Sequence, residues 1–515
     1  MNITIKDNNR VIEVQPEQGA TLLDAIRQSG VNFSAPCGGA GTCGKCKALV
    51  SHQGESHFVL SCQAPAEDGM VVHVDCSRKM EVSTTGMAAP YEADGHITGL
   101  GASIDIGTTT MVCRLYNCET GELLSCIGQA NPQGVYGADV ISRLTAVSNG
   151  NLDALESLVN EAMSSMLTAA CAKVGVEKSA IEYVAIAGNT IMEHLACGID
   201  PTPIGVAPFT CPTLFGYEVN LDWLDKKVPV YIVPSIAGYV GGDISAGMLA
   251  VDMSNSAEPV LLLDLGTNGE MALGSTKGMV SCATAAGPVF EGANIACGMP
   301  AYPGAISQIK VEDGQIKLTT VGNKPACGIC GTGLIDAISL LLDAEVLDNS
   351  GYLSDADEAA DFVESNEWAQ VVVPCIEEFE GETVFRLAPE VYVSQKDIRQ
   401  FQLAMAAISA GIRVMLEEGG VTADQVKAMY IAGGFGQYMN LEHAARGGLF
   451  PYDLLDKASS IGNTSLSGAT AVLLNQEARA TVESIARDCH YVELSTHKRF
   501  NDYYVSAMEF PEPVL

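Results

Sequence analysis

Two stretches of this chain share one pattern: ASIDIGTTTMVCRLY at 102–116 and VLLLDLGTNGEMAL at 260–273. Each is an apolar run ending in an aspartate, then a glycine–threonine turn, then a second apolar run. The pattern predicts a strand, a tight turn and a second strand in each half. Each half later carries another apolar strand that runs into a glycine turn and a helix, VAIAGNTIMEHL at 184–195 and MYIAGGFGQYM at 429–439. The interval between the aspartate and this later turn is longer in the second half, which therefore holds the larger insertion.

The chemistry of these four turns is nucleotide handling. A Gly-Thr turn between strands offers N–H groups and hydroxyls to phosphate oxygens, and glycine permits close approach. The candidates are Gly107, Thr108 and Thr109 in the first half and Gly266, Thr267 and Asn268 in the second. Asn189 marks the third turn, and Gly433, Gly434 and Gly436 the fourth, where adenosine is expected. Asp105 and Asp264 end their strands as hard oxygen ligands suited to Mg²⁺ or its waters. Two such turns facing each other would grip a triphosphate from both sides.

Three further residues have two readings each. Asp243, after the glycine pair in GYVGGDISAG, orients water or Mg²⁺, or caps a helix. Glu270 positions an attacking water or is a solvated loop acid. Ser394 to Asp397 form a capping box that opens a long helix through Ile398, Leu403 and Ile412. Lys396 within it reaches nucleotide or stays on the surface.

Upstream, PCGGAGTCGKCKALVSHQGESHFVLSCQ (36–63) places Cys37, Cys43 and Cys46 on a glycine-rich loop, with Cys62 after a strand-like run. Four thiolates hold a two-iron cluster. A loop that wraps inorganic sulfide needs the tight turns that Gly38, Gly39, Gly41 and Gly44 allow. Structural zinc is the alternative, although zinc sites usually bring two CxxC pairs and this stretch has one. Cys76 competes with Cys62 as fourth ligand. Ahead of the loop, Ile3/Ile5 and Ile12/Val14 predict a hairpin, and Thr21 to Asp24 a capped helix that ends at Gly30. These are the parts of a β-grasp ferredoxin. The stretch from Cys76 to about Gly95 loses periodicity and reads as an extended connector, on which a cluster domain could swing.

The chain has 515 residues, 47% of them hydrophobic, enough for several domains with buried cores. A formal charge of −34 argues against nucleic acid as a partner and equally against an anionic membrane surface. MNITIKDNNR has no apolar signal core, and the 17 cysteines follow no secreted-domain pattern, so a reducing, cytoplasmic setting is expected. Cys327 and Cys330 form a CxxC without a second pair nearby, and His194 lies on an apolar helix; packing is the expectation for all three. No GxGxxG follows a suitable strand, so an external donor must fill the cluster.

The order of turns resembles the actin-like ATPase superfamily of sugar kinases, heat-shock-70 chaperones and actin. More closely, GADVISR (137–143), AGNTIMEHL (187–195), LLLDLGTNGE (261–270), AAGPVFEG (285–292), GICGTGLID (328–336), SQKDIR (394–399) and IAGGFG (431–436) are similar to its ferredoxin-linked branch, the reductive activators of corrinoid proteins. The wide spacing of Cys37 and Cys43 resembles the adrenodoxin-like ferredoxins.

The resemblance implies an α/β chain: a β-grasp [2Fe-2S] domain at 1–80, a linker at 81–97, and a duplicated actin-like (ASKHA, ribonuclease H-like) ATPase with lobes at 98–257 and 258–515. It also implies ATP and Mg²⁺ beside the cluster. The expected partners are a corrinoid protein of a methyltransferase system and an external low-potential electron donor, with a homodimer left open. The implied activity is one-electron reduction of Co(II) to Co(I) at the cost of ATP. The alternatives are an ATP-gated donor to another low-potential metalloenzyme, a small-molecule kinase, and a non-catalytic chaperone-like switch.

Overall fold

The computed structural model describes residues 1–7, 10–31, 33–53, 55–74, 84–221, 227–266, 268–434 and 438–512. Cys76, Thr267 and Gly436 lie outside the described residues. The chain divides into two compact units, Met1–Val82 with Ala93–Gly241 and Leu473–Asn475, and Ser83–Glu92 with Gly242–Val472 and Gln476–Leu515.

The first unit opens with β1 (Ile3–Lys6), β2 (Val11–Val14), α1 (Leu22–Gln28), β3 (Lys47–His52), β4 (Glu55–Leu60) and β5 (Val71–His73). They form one sheet in the order β2-β1-β5-β3-β4, with β1 and β5 parallel, as a β-grasp requires. Ile3 and Ile5 are fully buried, so the alternation of β1 faces a core shared with Leu22, Ala25 and Ile26 of α1. Thr21 and Asp24 close a reciprocal capping box that starts α1.

The same unit continues with β6 (Leu100–Ile106), β7 (Thr110–Asn117), β8 (Glu122–Ala130), α2 (Val140–Ser148), α3 (Leu152–Lys173), β9 (Ile181–Gly188), α4 (Thr190–Ala196), β10 (Tyr217–Asn220) and β11 (Pro229–Ile232). The sheet order is β10-β11-β9-β6-β7-β8. β6 pairs parallel with β9 and antiparallel with β7. It is buried along almost its whole length, as a central strand covered on both faces must be. Leu155, Val159, Met163, Met166 and Ala170 recur at helical spacing and turn one face of α3 onto β7 and β8.

The second unit repeats this plan. It contains α5 (Gly242–Ala250), β12 (Val260–Leu265), β13 (Gly269–Ser275), β14 (Gly278–Thr284), β15 (Ala305–Glu312), β16 (Gln315–Thr320), β17 (Gly328–Ile329) and α6 (Gly331–Asp343). After two short helices, α7 (Ala356–Ala359) and α8 (Glu367–Val372), come β18 (Ile376–Phe379), β19 (Glu382–Ala388), β20 (Val391–Ser394) and α9 (Gln395–Glu418). Then follow β21 (Ala428–Ala432), α10 (Leu441–Arg446), β22 (Ala458–Gly462), α11 (Thr464–Leu474), whose last two residues fall in the first unit, α12 (Gln476–Asp488), β23 (His490–Tyr491) and α13 (Phe500–Ser506). The main sheet runs β22-β21-β12-β13-β14-β23; its first five strands repeat β11-β9-β6-β7-β8, with β12 in the place of β6 and β21 in the place of β9, while β23 takes the far edge and β10 has no counterpart. α9 crosses β13 and β14 as α3 crosses β7 and β8. The larger insertion expected in this half carries two extra three-stranded sheets, β16-β15-β17 and β18-β19-β20.

Two observations change the picture of a swinging tether. The β-grasp domain packs on the first lobe: Leu23, Ala35 and Cys46 join the core built by β6, β7 and α3. The described part of the connector is also anchored within the second unit, where Met87 N–H donates to Ile461 O at 2.8 Å and Asn463 N–H to Thr85 O at 3.1 Å. No helix among the described residues is long and apolar enough to cross a membrane.

Candidate functional site: a thiolate loop and two Gly-Thr turns

Cys46 immediately precedes β3 and Cys62 follows β4, and the Lys47↔Leu60 pairing of this hairpin brings the two together. Their sulfurs lie 3.2 Å apart, and those of Cys37 and Cys43 3.4 Å apart. A tetrahedral metal with thiolate bonds near 2.3 Å spaces two ligand sulfurs by about 3.7 Å. The spacing within each pair is close to that of two thiolates on one metal. A single zinc needs its ligands around one point, and among the described residues no three His, Cys, Asp or Glu side chains converge so. Two pairs are what a two-iron cluster takes.

Burial pushes the Cys37 thiol up, but N–H groups of Cys43, Thr42 and Gly39 and the Cys43 thiol outweigh it, bringing it down to about 6. Burial, and then the adjoining Cys46 thiol, push Cys62 up to about 11. The loop thus carries amide donors for negative sulfur, the kind of outer contact that tunes a metal site.

The loop rests on residues 131–143 of the first lobe. Ala138 N–H donates to Pro36 O at 3.1 Å. Arg27 on α1 donates through Nε to Val135 O at 3.1 Å and through Nη2 to Gly38 O at 2.8 Å. Its guanidinium also stands 4.7 Å from the centre of the Tyr136 ring. Gly38 has φ +61°, and a Cβ there would sit 2.8 Å from Tyr136 O.

In each lobe the first strand ends in the predicted aspartate. Asp105 is buried at the end of β6, and Asp264 is half-buried at the end of β12. The later glycine turn meets the same place in both. A Cβ on Gly188 would lie 2.8 Å from Ile106 O, and one on Gly433 would lie 2.7 Å from Leu265 O and 2.8 Å from Asp264 Oδ1. Gly433 (φ +92°) has both reasons to be glycine. The Gly107-Thr108-Thr109 turn is half-buried, and Gly266 N–H closes the second turn on Asn268 O at 3.1 Å.

The lobes differ across the strand pair. Asp264 stands opposite Glu270, whereas Asp105 stands opposite Val112. Glu270 is buried and accepts from Asn268 Nδ2 at 3.4 Å, so the reading of a solvated loop acid does not hold for it. Two carboxylates on one face make a donor pair for a hard divalent cation.

Other candidates are tied up locally. Asn189 caps α4, its Oδ1 accepting from Ile191 N–H at 3.1 Å. Asp243 Oδ1 accepts from Ile244 N–H at 2.8 Å in the first turn of α5. Lys396 is exposed and ion-paired with Glu382. Gly434 is exposed beside Gly433. His194 is buried and bonds Thr190 O at 2.7 Å. Cys330 is buried and Cys327 exposed.

Sequence reasoning passed over Arg27, Asn131, Tyr136 and Arg143. The only signal for Arg143 was its place in GADVISR; for Arg27 it was a cation in the last turn of a short helix.

Comparison with known proteins follows the same division. The family model for a 2Fe-2S iron-sulfur cluster binding domain matches residues 4–67, the RACo middle region matches 100–256, and the C-terminal domain of RACo, the ASKHA domain, matches 258–514. A solved structure of a reductive activator for corrinoid, iron-sulfur protein is 31% identical, covers 99% of this chain and 98% of its own, and superposes with a TM-score of 0.67. The chain belongs to the RACo family. Its N-terminal domain binds a [2Fe-2S] cluster, and its ASKHA domain binds ATP. Among curated relatives of this RACo-family chain, the corrinoid activation enzyme RamQ of Eubacterium limosum is 28% identical, over 98% of both chains. The [Co(II) methylated amine-specific corrinoid protein] reductase of Methanosarcina barkeri is 24% identical, over 80% of this chain and 77% of its own.

Proposed function

We propose that this chain is an ATP-dependent reductive activator of a corrinoid protein in a methyltransferase system, passing one electron to inactive Co(II) to restore Co(I). The observation that carries the reading is the seating of the paired-thiol loop on the first ATPase lobe within one compact unit. A sugar kinase has no use for that domain, and a stand-alone ferredoxin has none for the lobes.

When bound, the cluster supplies a single low-potential electron, with plant-type centres near roughly −400 mV. Cys37, Cys43, Cys46 and Cys62 hold it, and the amides around Cys37 stabilise negative sulfur. Gly107, Thr108 and Thr109 in one lobe, and Gly266, Thr267 and Asn268 in the other, offer donors to phosphate oxygens. Asp105, and Asp264 with Glu270, hold Mg²⁺ or its waters; Glu270 also positions the attacking water. Gly433, Gly434 and Gly436 leave room for the nucleoside. A separate low-potential donor refills the cluster, and the free thiols fit a reducing cytoplasm.

The test is a visible spectrum of a candidate corrinoid protein mixed with this chain, a low-potential reductant and Mg²⁺-ATP. Co(II) bands should fall as Co(I) bands rise, and omission of ATP should stop the change. Phosphorylation of a small molecule without cobalt reduction would instead establish the kinase reading.

A further inference from the structure

Residues 131–143 bond to both halves of the chemistry in the first unit. At one end they hold all three carbonyls of the Gly-Thr-Thr turn. Asn131 Nδ2 donates to Gly107 O at 2.8 Å, Arg143 Nη2 donates to Thr108 O, and Asn131 N–H donates to Thr109 O at 2.8 Å. At the other end they hold the loop on either side of Cys37, directly at Pro36 and through Arg27 at Gly38. Pro36 O accepts from Ala138 N–H, and Gly38 O accepts from Arg27, whose Nε is fixed by Val135 O.

The segment between these ends is braced internally. Arg143 donates through Nη1 to Gln133 Oε1 at 3.1 Å and through Nε to Gly137 O at 3.2 Å. Gln133 reaches Leu155 O of α3 at 2.9 Å. Asn131, Gln133 and Arg143 are 3%, 0% and 1% exposed, so these bonds are made away from water, where losing one is costly. A Cβ on Gly137 would meet Ser142 Cβ at 2.2 Å, which leaves the segment little freedom to absorb a shift at either end.

We infer that residues 131–143 are a strut through which nucleotide at the Gly107–Thr109 turn alters the electronic surroundings of Cys37, with Arg143 and Arg27 as the positioning residues at its two ends. Drawing the turn toward phosphate moves Asn131 and Arg143, and the movement reaches the Val135 carbonyl that holds Arg27. Loosening this guanidinium from Gly38 O removes positive charge from beside the loop. The reduced cluster then becomes a stronger donor, because net charge and hydrogen bonding near the sulfurs set its potential. The inference rests on the proposed role of the turn in binding phosphate.

The experiment is an anaerobic redox titration of the full-length, cluster-loaded chain, with and without Mg²⁺ and a non-hydrolysable ATP analogue, and with analogue binding measured in parallel by calorimetry. Wild type should show at least a tenfold fall in the reduced-to-oxidised ratio at fixed potential on adding the analogue, about 59 mV for one electron. Arg27→Gln should keep its iron and its analogue affinity and lose this response. If Arg27→Gln fails to hold a cluster, Tyr136→Leu, which removes the ring beside Arg27, carries the same test. A variant response within twofold of wild type would overturn the strut. So would an unchanged wild-type titration with the analogue bound. Absence of analogue binding would take down the phosphate reading itself.

Discussion

Gly38 and Gly44 make a matched pair for measuring how firmly the cluster loop is seated. Both are in the thiolate loop and both are left-handed, at φ +61° and +65°. A Cβ on Gly44 meets nothing within 4 Å, whereas one on Gly38 meets Tyr136 O at 2.8 Å. Gly44→Ala therefore carries only the left-handed cost, about 1–2 kcal/mol. Gly38→Ala carries the same cost and must also lift the loop from a backbone atom that has no rotamer to yield. Lifting it strains the Ala138–Pro36 bond, worth about 1 kcal/mol, and the charged Arg27–Gly38 bond, worth about 1.5–3 kcal/mol. The excess over Gly44→Ala is then about 2.5–4 kcal/mol of local opening. If opening precedes attack on the cluster, chelator should bleach Gly38→Ala at least tenfold faster than Gly44→Ala. The assay follows decay of the visible absorbance at fixed chelator concentration and temperature. Equal rates for the two variants would mean that the loop does not depend on its seat against Tyr136.

Three more outcomes are expected. Anaerobically purified chain should carry about two irons, and Cys43→Ser should lose the colour while still binding ATP; stoichiometric zinc in iron-replete preparations would refute the two-iron assignment. Asp105→Ala and Asp264→Ala should each lose Mg²⁺-dependent ATP turnover with an unchanged cluster spectrum, and retained turnover in both would mean that the metal is held elsewhere. In the metal-free chain, Cys37 at about 6 is mostly thiolate at pH 7 and Cys62 at about 11 is not, so brief alkylation read by mass spectrometry should mark Cys37 first, with the preference fading as pH rises toward 11.

The readily legible features were those written in local chemistry. Alternation in β1 and β2, the capping boxes at Thr21 and Ser394, and the cysteine loop each depend on side chains a few residues apart. The duplication was legible as well, because a strand that closes on a neighbouring carbonyl must end in glycine, as at Gly188 and Gly433. The brace over 131–143 was not. Its partners are mainly backbone carbonyls, which no residue letter encodes, and no local pattern marks Asn131 and Gln133 as the buried residues they are. Lys396, a cation at a helix start with two readings from its sequence, pairs on the surface with Glu382.

The connector between the cluster domain and the lobes has a role beyond spanning distance. Gly86 pairs with Gly462, and a Cβ on either would sit 2.4 Å from the opposite chain, at Asn463 O or Thr85 O. β22 is the last strand of its sheet, a row of open backbone groups of the kind that recruits other chains. Residues 85–87 run along it as a selvedge. Cutting the chain at 98 to obtain the ATPase alone would unpick that hem, leaving an adhesive border where the full-length protein has a finished one.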